Sequence, residues 1–100
     1  MKPAKETKNW YVYILRCCDD TLYTGITTHL GRRLAEHNSP GSETRYTRSR
    51  QPVEMVYYEN AANRSEAGKR EYRIKKMARR EKEMLISSES HHLEGPEAQQ

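Results

Sequence analysis

The stretch Trp10–His37, WYVYILRCCDDTLYTGITTHLGRRLAEH, decides how the rest of the chain is read. Tyr11 to Cys17 is an aromatic and β-branched run, the composition of a strand. Asp19-Asp20 breaks it as a turn, and Leu22 to Ile26 resumes it. Side chains alternate across a strand. Tyr11, Tyr13, Leu15 and Cys17 are therefore expected on one face, with Val12 and Ile14 on the other. In the second run Leu22, Thr24 and Ile26 share a face, and Tyr23 and Gly25 take the opposite one. Thr27-Thr28 offers an N-cap, and Leu30 to His37 reads as a helix on which Arg33 and His37 are neighbours at i, i+4. Singly, each of these residues has an ordinary structural role. Tyrosines build half-buried strands, Arg and His populate helix surfaces, and a glycine ends a strand.

One hundred residues allow one compact domain with a modest core. Mean hydropathy is -1.13 and 32% of residues are charged, which leaves no room for a transmembrane span. Residues 1–9, MKPAKETKN, lack an apolar signal-peptide core and read as a disordered arm. Cys17 and Cys18 are adjacent, so a mutual disulfide would be strained. They read as packing residues in a protein of the reducing cytoplasm. A net charge of +4 and a pI near 9.2 mildly favour a polyanionic partner.

Between Asn38 and Pro52 the chain is dense in Ser, Pro, Gly and Arg, a loop with one short helical turn near Thr44 to Arg48. Two readings stand level there. Arg45, Arg48 and Arg50 with Tyr46 offer phosphate contacts and a base-stacking ring, or the loop is simply solvated and Tyr46 covers the core. Val53 to Tyr58 is a third strand, closed by Asn60 to Asn63. Asn63 followed by Glu66 resembles a capping box opening a helix at Arg64. Its period places Ala67, Glu71, Ile74 and Ala78 in one stripe with Met77 beside it. Glu71 is the anomaly, because a carboxylate among apolar residues needs a cation, a donor or a proton. Spacing alone favours an ion pair with Arg70 or with an arginine of the first helix. Glu66 is explained by capping and the helix dipole.

Residues 64–83 carry nine Lys/Arg against four Glu, an excess of five positive charges in a chain whose net charge is +4. Such a run is either a solvated helix face or a surface that tracks a nucleic-acid backbone, and Lys69, Arg73 and Lys76 are its candidate contacts. Helicity continues or restarts through Met84, Leu85 and Ile86. Residues 87–100 read as a disordered tail in which His91-His92 is inert. The element pattern predicts an α/β (α+β) fold, a small three-stranded, largely antiparallel sheet flanked by helices in the order β-β-α-β-α(-α). One domain spans residues 10–86.

Taken as a set, Tyr11-Val12-Tyr13, Tyr23-Thr24-Gly25, Arg33 and His37 resemble the motifs of the GIY-YIG nuclease family in order and spacing. The second motif tyrosine lies ten positions after the first, and Arg33 eight after Gly25. The chain looks most like the small, stand-alone bacterial members, the YhbQ-like group. The resemblance implies the sheet order and a single cleft gathering Tyr13, Tyr23, Arg33, His37 and Glu71. It also implies metal-dependent endonuclease activity, on DNA before RNA, in repair or recombination. In that scheme Glu71 holds one Mg²⁺ or Mn²⁺, and Arg33 grips the non-bridging phosphate oxygens. Tyr13 serves as general base or orients the water, and Tyr23 bonds the phosphate or the water. His37 relays a proton or binds phosphate, and Gly25 lets the backbone come close.

The sequence departs from the family pattern at several positions. Tyr11 replaces the first motif glycine, and Val12 and Thr24 replace isoleucines. Gly31 inside the first helix costs about 1 kcal/mol relative to Ala. A later asparagine carried by many members is absent after Asn63. The resemblance covers Trp10 to about Ile86 with no added DNA-binding domain, which implies low target specificity. Two other classes remain open on the sequence: a nucleic-acid-binding module without turnover, and a protein-interaction domain whose basic helix meets an acidic partner.

Overall fold

The structure is a computed structural model that describes residues 9–41 and 44–88. Its elements are β1 (Trp10–Cys17), β2 (Leu22–Thr27), α1 (Leu30–His37), α2 (Arg45–Arg48), β3 (Val53–Ala61), α3 (Arg64–Lys75) and α4 (Arg79–Ser88). The arm through residue 8 and the tail from residue 89, with His91 and His92, lie outside the described residues. Ser87 and Ser88, expected in the tail, belong to α4. β3 runs three residues past the expected Tyr58, since Asn60 and Ala61 still pair with Tyr11 and Trp10.

The sheet order is β2-β1-β3, antiparallel throughout. β1 is central, so both of its faces are covered, and its alternation divides the core in two. Val12 and Ile14 pack with Val56, Tyr57, Ala67, Ile74 and Ile86 on the side of α3 and α4. Tyr13, Leu15 and Cys17 pack with Val53 and Met55 on the side of α1 and α2, where Leu30, Leu34 and Tyr46 cover them. Cys17 is the packing residue expected, whereas Cys18 lies past the strand end and is exposed. β3 does not alternate simply. Ile14 faces Tyr57 but Leu15 faces Met55, so Val56 is the extra residue of a β-bulge. The bulge reverses the phase of the strand, putting Tyr57 on the α3 side and Tyr58 on the α1 side.

The helices start and stop for identifiable reasons. α1 is capped by His29, whose Nδ1 accepts from Arg32 N at 3.2 Å, rather than by Thr28. Thr27 Oγ1 instead accepts from His29 N at 3.1 Å. α3 is capped by Asn63 as expected, with Oδ1 accepting from Glu66 N at 2.9 Å. The helical stripe ends early because α3 stops at Lys75 and α4 restarts at Arg79, which leaves Ala78 exposed between them. α4 is tied to the sheet by Arg16, whose guanidinium forks onto Glu83 at 2.9 and 3.0 Å. The end of α1 is tied to β3 by Asn38, whose side chain accepts from Val53 N at 2.7 Å and donates to Val53 O at 2.9 Å. Among the described residues no helix is long and apolar enough to cross a membrane.

Candidate active site

The site is centred on Tyr13, in the middle of the central strand and 1% exposed. Its partner in register across β2 is Gly25. A Cβ at Gly25 would lie 2.5 Å from the Tyr13 phenol oxygen and 2.7 Å from its Cζ, so the ring occupies the space that any other residue would fill. No glycine has a positive φ among the described residues. Gly25 is therefore needed for room, and the group it admits is Tyr13.

α1 brings Arg33 and His37 over this phenol. Tyr13 Oη lies 2.9 Å from His37 Nε2, and Arg33 Nε donates to the same oxygen at 3.3 Å. His37 Nδ1 lies 2.8 Å from Thr47 Oγ1 on α2. Tyr23 packs edge-on to the imidazole with ring centroids 5.3 Å apart. Gln51 Nε2 donates to the carbonyls of His37 at 2.8 Å and Ser39 at 2.6 Å, which fixes the end of α1.

Burial sets the protonation states. It pushes the Tyr13 phenol up to about 12, against the opposing hydrogen bond and charge of Arg33. It pushes His37 down to about 4, helped by the Arg33 charge and only partly offset by Glu36. The resting pair at neutral pH is thus a phenol beside a neutral imidazole. Burial works against the Arg33 charge, but hydrogen bonds to Glu36 and Tyr13 outweigh it and hold the guanidinium pKa above its ordinary value. Arg33 also donates to Glu36 at 2.9 Å and to Thr44 Oγ1 at 3.4 Å, and its side chain is 33% exposed. Each of its three guanidinium nitrogens thus has a partner, while a third of the side chain stays open to solvent. Arg32 is 62% exposed and meets Glu36 only at 3.7 Å.

The strands and helix that hold this phenol between a guanidinium and an imidazole lie within residues 9–84, which match the GIY-YIG catalytic domain family. The chain belongs to the GIY-YIG family. It is 51% identical over 87 residues to UPF0213 protein DP2720 of Desulfotalea psychrophila, covering 87% of this chain and 79% of that one. It is 49% identical over 80 residues to UPF0213 protein NP_0776A of Natronomonas pharaonis, covering 80% and 93%. Its fold is that of two solution NMR structures. They are the UPF0213 protein BH0048 of Bacillus halodurans (41% identity, TM-score 0.53, 88% of each chain) and the protein EF2693 of E. faecalis (42%, 0.57, 85% and 93%).

The remaining candidate residues of this GIY-YIG domain are distributed unevenly. Glu71 is on α3, a helix that packs on the Val12 and Ile14 side. Its carboxylate is half-buried and its ion-pair partner is Lys75, at 3.2 Å, not Arg70 or an arginine of α1. Arg70 instead forks onto Glu59 at 2.7 and 3.2 Å. The Glu71 charge nonetheless reaches Tyr13 and contributes to the raised phenol pKa.

Tyr46 packs on the site side of the core, stacked on Tyr23 at 5.6 Å with the Arg50 guanidinium 4.1 Å from its ring centre. Arg50 also pairs with Asp19 at 3.0 Å, while Arg45 and Arg48 are exposed. Lys69 and Arg73 on α3 and Lys76 at its C-cap are exposed, so the two basic groups lie on opposite faces of the sheet. Thr47, fully buried and bonded to His37, is the site residue that sequence reasoning missed. A threonine in a polar loop carries no periodic signal.

Proposed function

We propose that this GIY-YIG domain is a divalent-metal-dependent endonuclease hydrolysing phosphodiester bonds in nucleic acid, with DNA as the first substrate to test. The observation that carries the reading is the Tyr13 phenol held between Arg33 Nε and His37 Nε2 over a glycine that leaves it room.

Among the described residues no group of three or more His, Cys, Asp or Glu is gathered. Two carboxylates act on the site: Glu36, taken up by Arg33, and the half-buried Glu71, whose ion-pair partner is a displaceable lysine and which is the candidate metal donor. That donor fits a hard ion of the Mg²⁺ or Mn²⁺ type, which takes one carboxylate and fills its other positions with water and phosphate. Bound there, the ion would supply Lewis-acid charge against the developing phosphate charge.

The chain's own residues do the rest. Arg33, exchanging its contacts to the exposed Glu36 and to Thr44, meets the non-bridging oxygens as a planar fork. Tyr13 takes the proton of the attacking water as its own proton passes to His37 Nε2. The net result is one proton moved from water to imidazole. The separation between a phenol pKa near 12 and an imidazole pKa near 4 keeps the proton on Tyr13 until another arrives. Tyr23 orients the phosphate or the water. The exposed Arg45 and Arg48 beside the site, and Lys69, Arg73 and Lys76 across the sheet, contact the phosphate backbone, so binding weakens with salt.

Branched, nicked and single-stranded substrates, incubated with and without Mg²⁺ or Mn²⁺, test the reading. Metal-dependent cleavage is expected, abolished by Tyr13→Phe and by Glu71→Gln and retained by Glu66→Gln. Binding without cleavage on every substrate would make the protein a binding module. If Glu66→Gln removed activity and Glu71→Gln did not, the metal carboxylate would be Glu66.

A further inference from the structure

His37 is 1% exposed and neutral, so one ring nitrogen carries a proton and the other a lone pair, and each needs a partner. The neighbours decide which is which. At one end of the chain of contacts stands Arg33, a guanidinium, which can only donate. Its Nε–H points at the Tyr13 oxygen at 3.3 Å, so the Tyr13 hydroxyl is free to turn its own proton to His37 Nε2 at 2.9 Å. At the other end stands the carbonyl of Thr44, which can only accept. Thr47 Oγ1 donates to it at 3.4 Å, an i to i−3 bond back to the residue that precedes α2, and the Thr47 oxygen is left to accept from His37 Nδ1 at 2.8 Å. A donor-only group at one end and an acceptor-only group at the other leave a single direction for all four protons.

We infer that Thr47 is a positioning residue that holds His37 as its Nδ1–H tautomer, keeping Nε2 free as the proton acceptor for Tyr13. Thr47 is 0% exposed, so its side chain has no solvent alternative. The inference rests on the nuclease reading for its consequence, but not for its structural content. When the Tyr13 proton moves to Nε2, the imidazolium keeps its Nδ1–H bonded to Thr47, and no side chain has to turn. In the other tautomer Nε2–H would point at a phenol oxygen already accepting from Arg33, and Tyr13 would have nowhere to send its proton.

Imidazole nitrogen shifts of ¹⁵N-labelled protein at neutral pH read the tautomer directly, with no substrate present. The wild type should show a protonated Nδ1 and an unprotonated Nε2 for His37. Thr47→Val, which keeps shape and removes the acceptor, should lose that preference, and Thr47→Ser should restore it. In single turnover, Thr47→Val should cut the rate by about 10- to 100-fold with substrate affinity unchanged, and Thr47→Ser should recover it. A wild-type spectrum with the proton on Nε2 overturns the inference whatever the variants do. So does a Thr47→Val protein with the wild-type tautomer. An absence of cleavage by the wild type on every substrate would defeat the nuclease reading and leave the tautomer assignment standing on the spectra.

Discussion

On the α3 side of the sheet, Val12 and Ile14 meet Ala67 and Ile74 through carbon alone. On the α1 side, Tyr13, His37 and Thr47 are buried just as deeply, yet they are joined end to end by directional hydrogen bonds. The same strand supplies both by alternation. The apolar side is held by burial, which is non-directional and forgiving of small shifts. The polar side depends on each donor having one acceptor, so a single lost atom strands a buried partner. Substitutions of the buried apolar residues on the first side should therefore be read mainly in stability, and of the hydrogen-bonded residues on the second mainly in turnover.

The sharpest test of that division is Arg33. Arg33→Ala should lower the single-turnover rate by on the order of 10²–10³, the scale for one preorganised charge-stabilising donor. Arg33→Lys should already be severe because an ammonium lacks the fork, whereas Arg32→Ala should leave the rate near wild type. Circular dichroism should show all three folded. Equal small losses at Arg32 and Arg33 would dissolve the division.

Next comes Ile74→Ala, on the side away from the site. Truncating a side chain with no exposure should cost about 3 kcal/mol in urea unfolding, while the folded fraction turns over normally. A rate loss larger than the loss of folded protein would mean that the apolar side also tunes the site.

Acid should separate the two sides by pH window. Below about 6.5 the unfolded chain protonates His37 while the folded chain resists down to about 4, so the unfolded state binds more protons and stability falls as pH drops between them. The slope is at most about 1.4 kcal/mol per pH unit. On the other side, the Arg16 fork with help from Arg79 depresses the Glu83 carboxylate from 4.5 to about 2. That stabilisation is complete above 4.5 and is lost as pH falls toward 2. In stability–pH curves His37→Asn should flatten the upper window only, and Glu83→Gln the lower only. A single unresolved acid transition unaffected by either variant would contradict both assignments.

The smallest effect belongs to Gly31, on the exposed surface of α1. A Cβ there meets only His29 Cε1, at 3.9 Å. Gly31→Ala should stabilise the domain by about 0.5 kcal/mol in thermal unfolding without altering turnover. A change in rate would show that the mount of Arg33 is softer than its Glu36 and Thr44 contacts suggest.

Much of this molecule is local, and what is local is legible. The alternation of Tyr11 to Cys17 sorts Tyr13 from Val12 because a strand has a period of two, whatever packs on it. The i, i+4 spacing puts Arg33 beside His37 because a helix has a period near four, and Asn63 caps α3 because its side chain reaches an amide three residues on. The bulge at Val56, which sends Tyr57 and Tyr58 to opposite sides, has no such period, since it exists only against a partner strand. The reason for Gly25 likewise depends on register: the glycine is visible in the sequence, but the ring that fills its space belongs to a residue twelve positions earlier. Glu71 pairs with Lys75 at the i, i+4 spacing that the helix repeat encodes, whereas Arg70 reaches Glu59 on β3 because a long charged side chain chooses its partner by position in space. Thr47 joins the site only when α2 folds back over His37, a contact between residues ten apart that no helix or strand repeat encodes. The sequence alone determined the elements and the candidate side chains, because those follow from periodicity and residue chemistry. The tertiary structure decided which of those groups are joined by hydrogen bonds, because a hydrogen bond depends on tenths of an ångström between segments that only packing brings together.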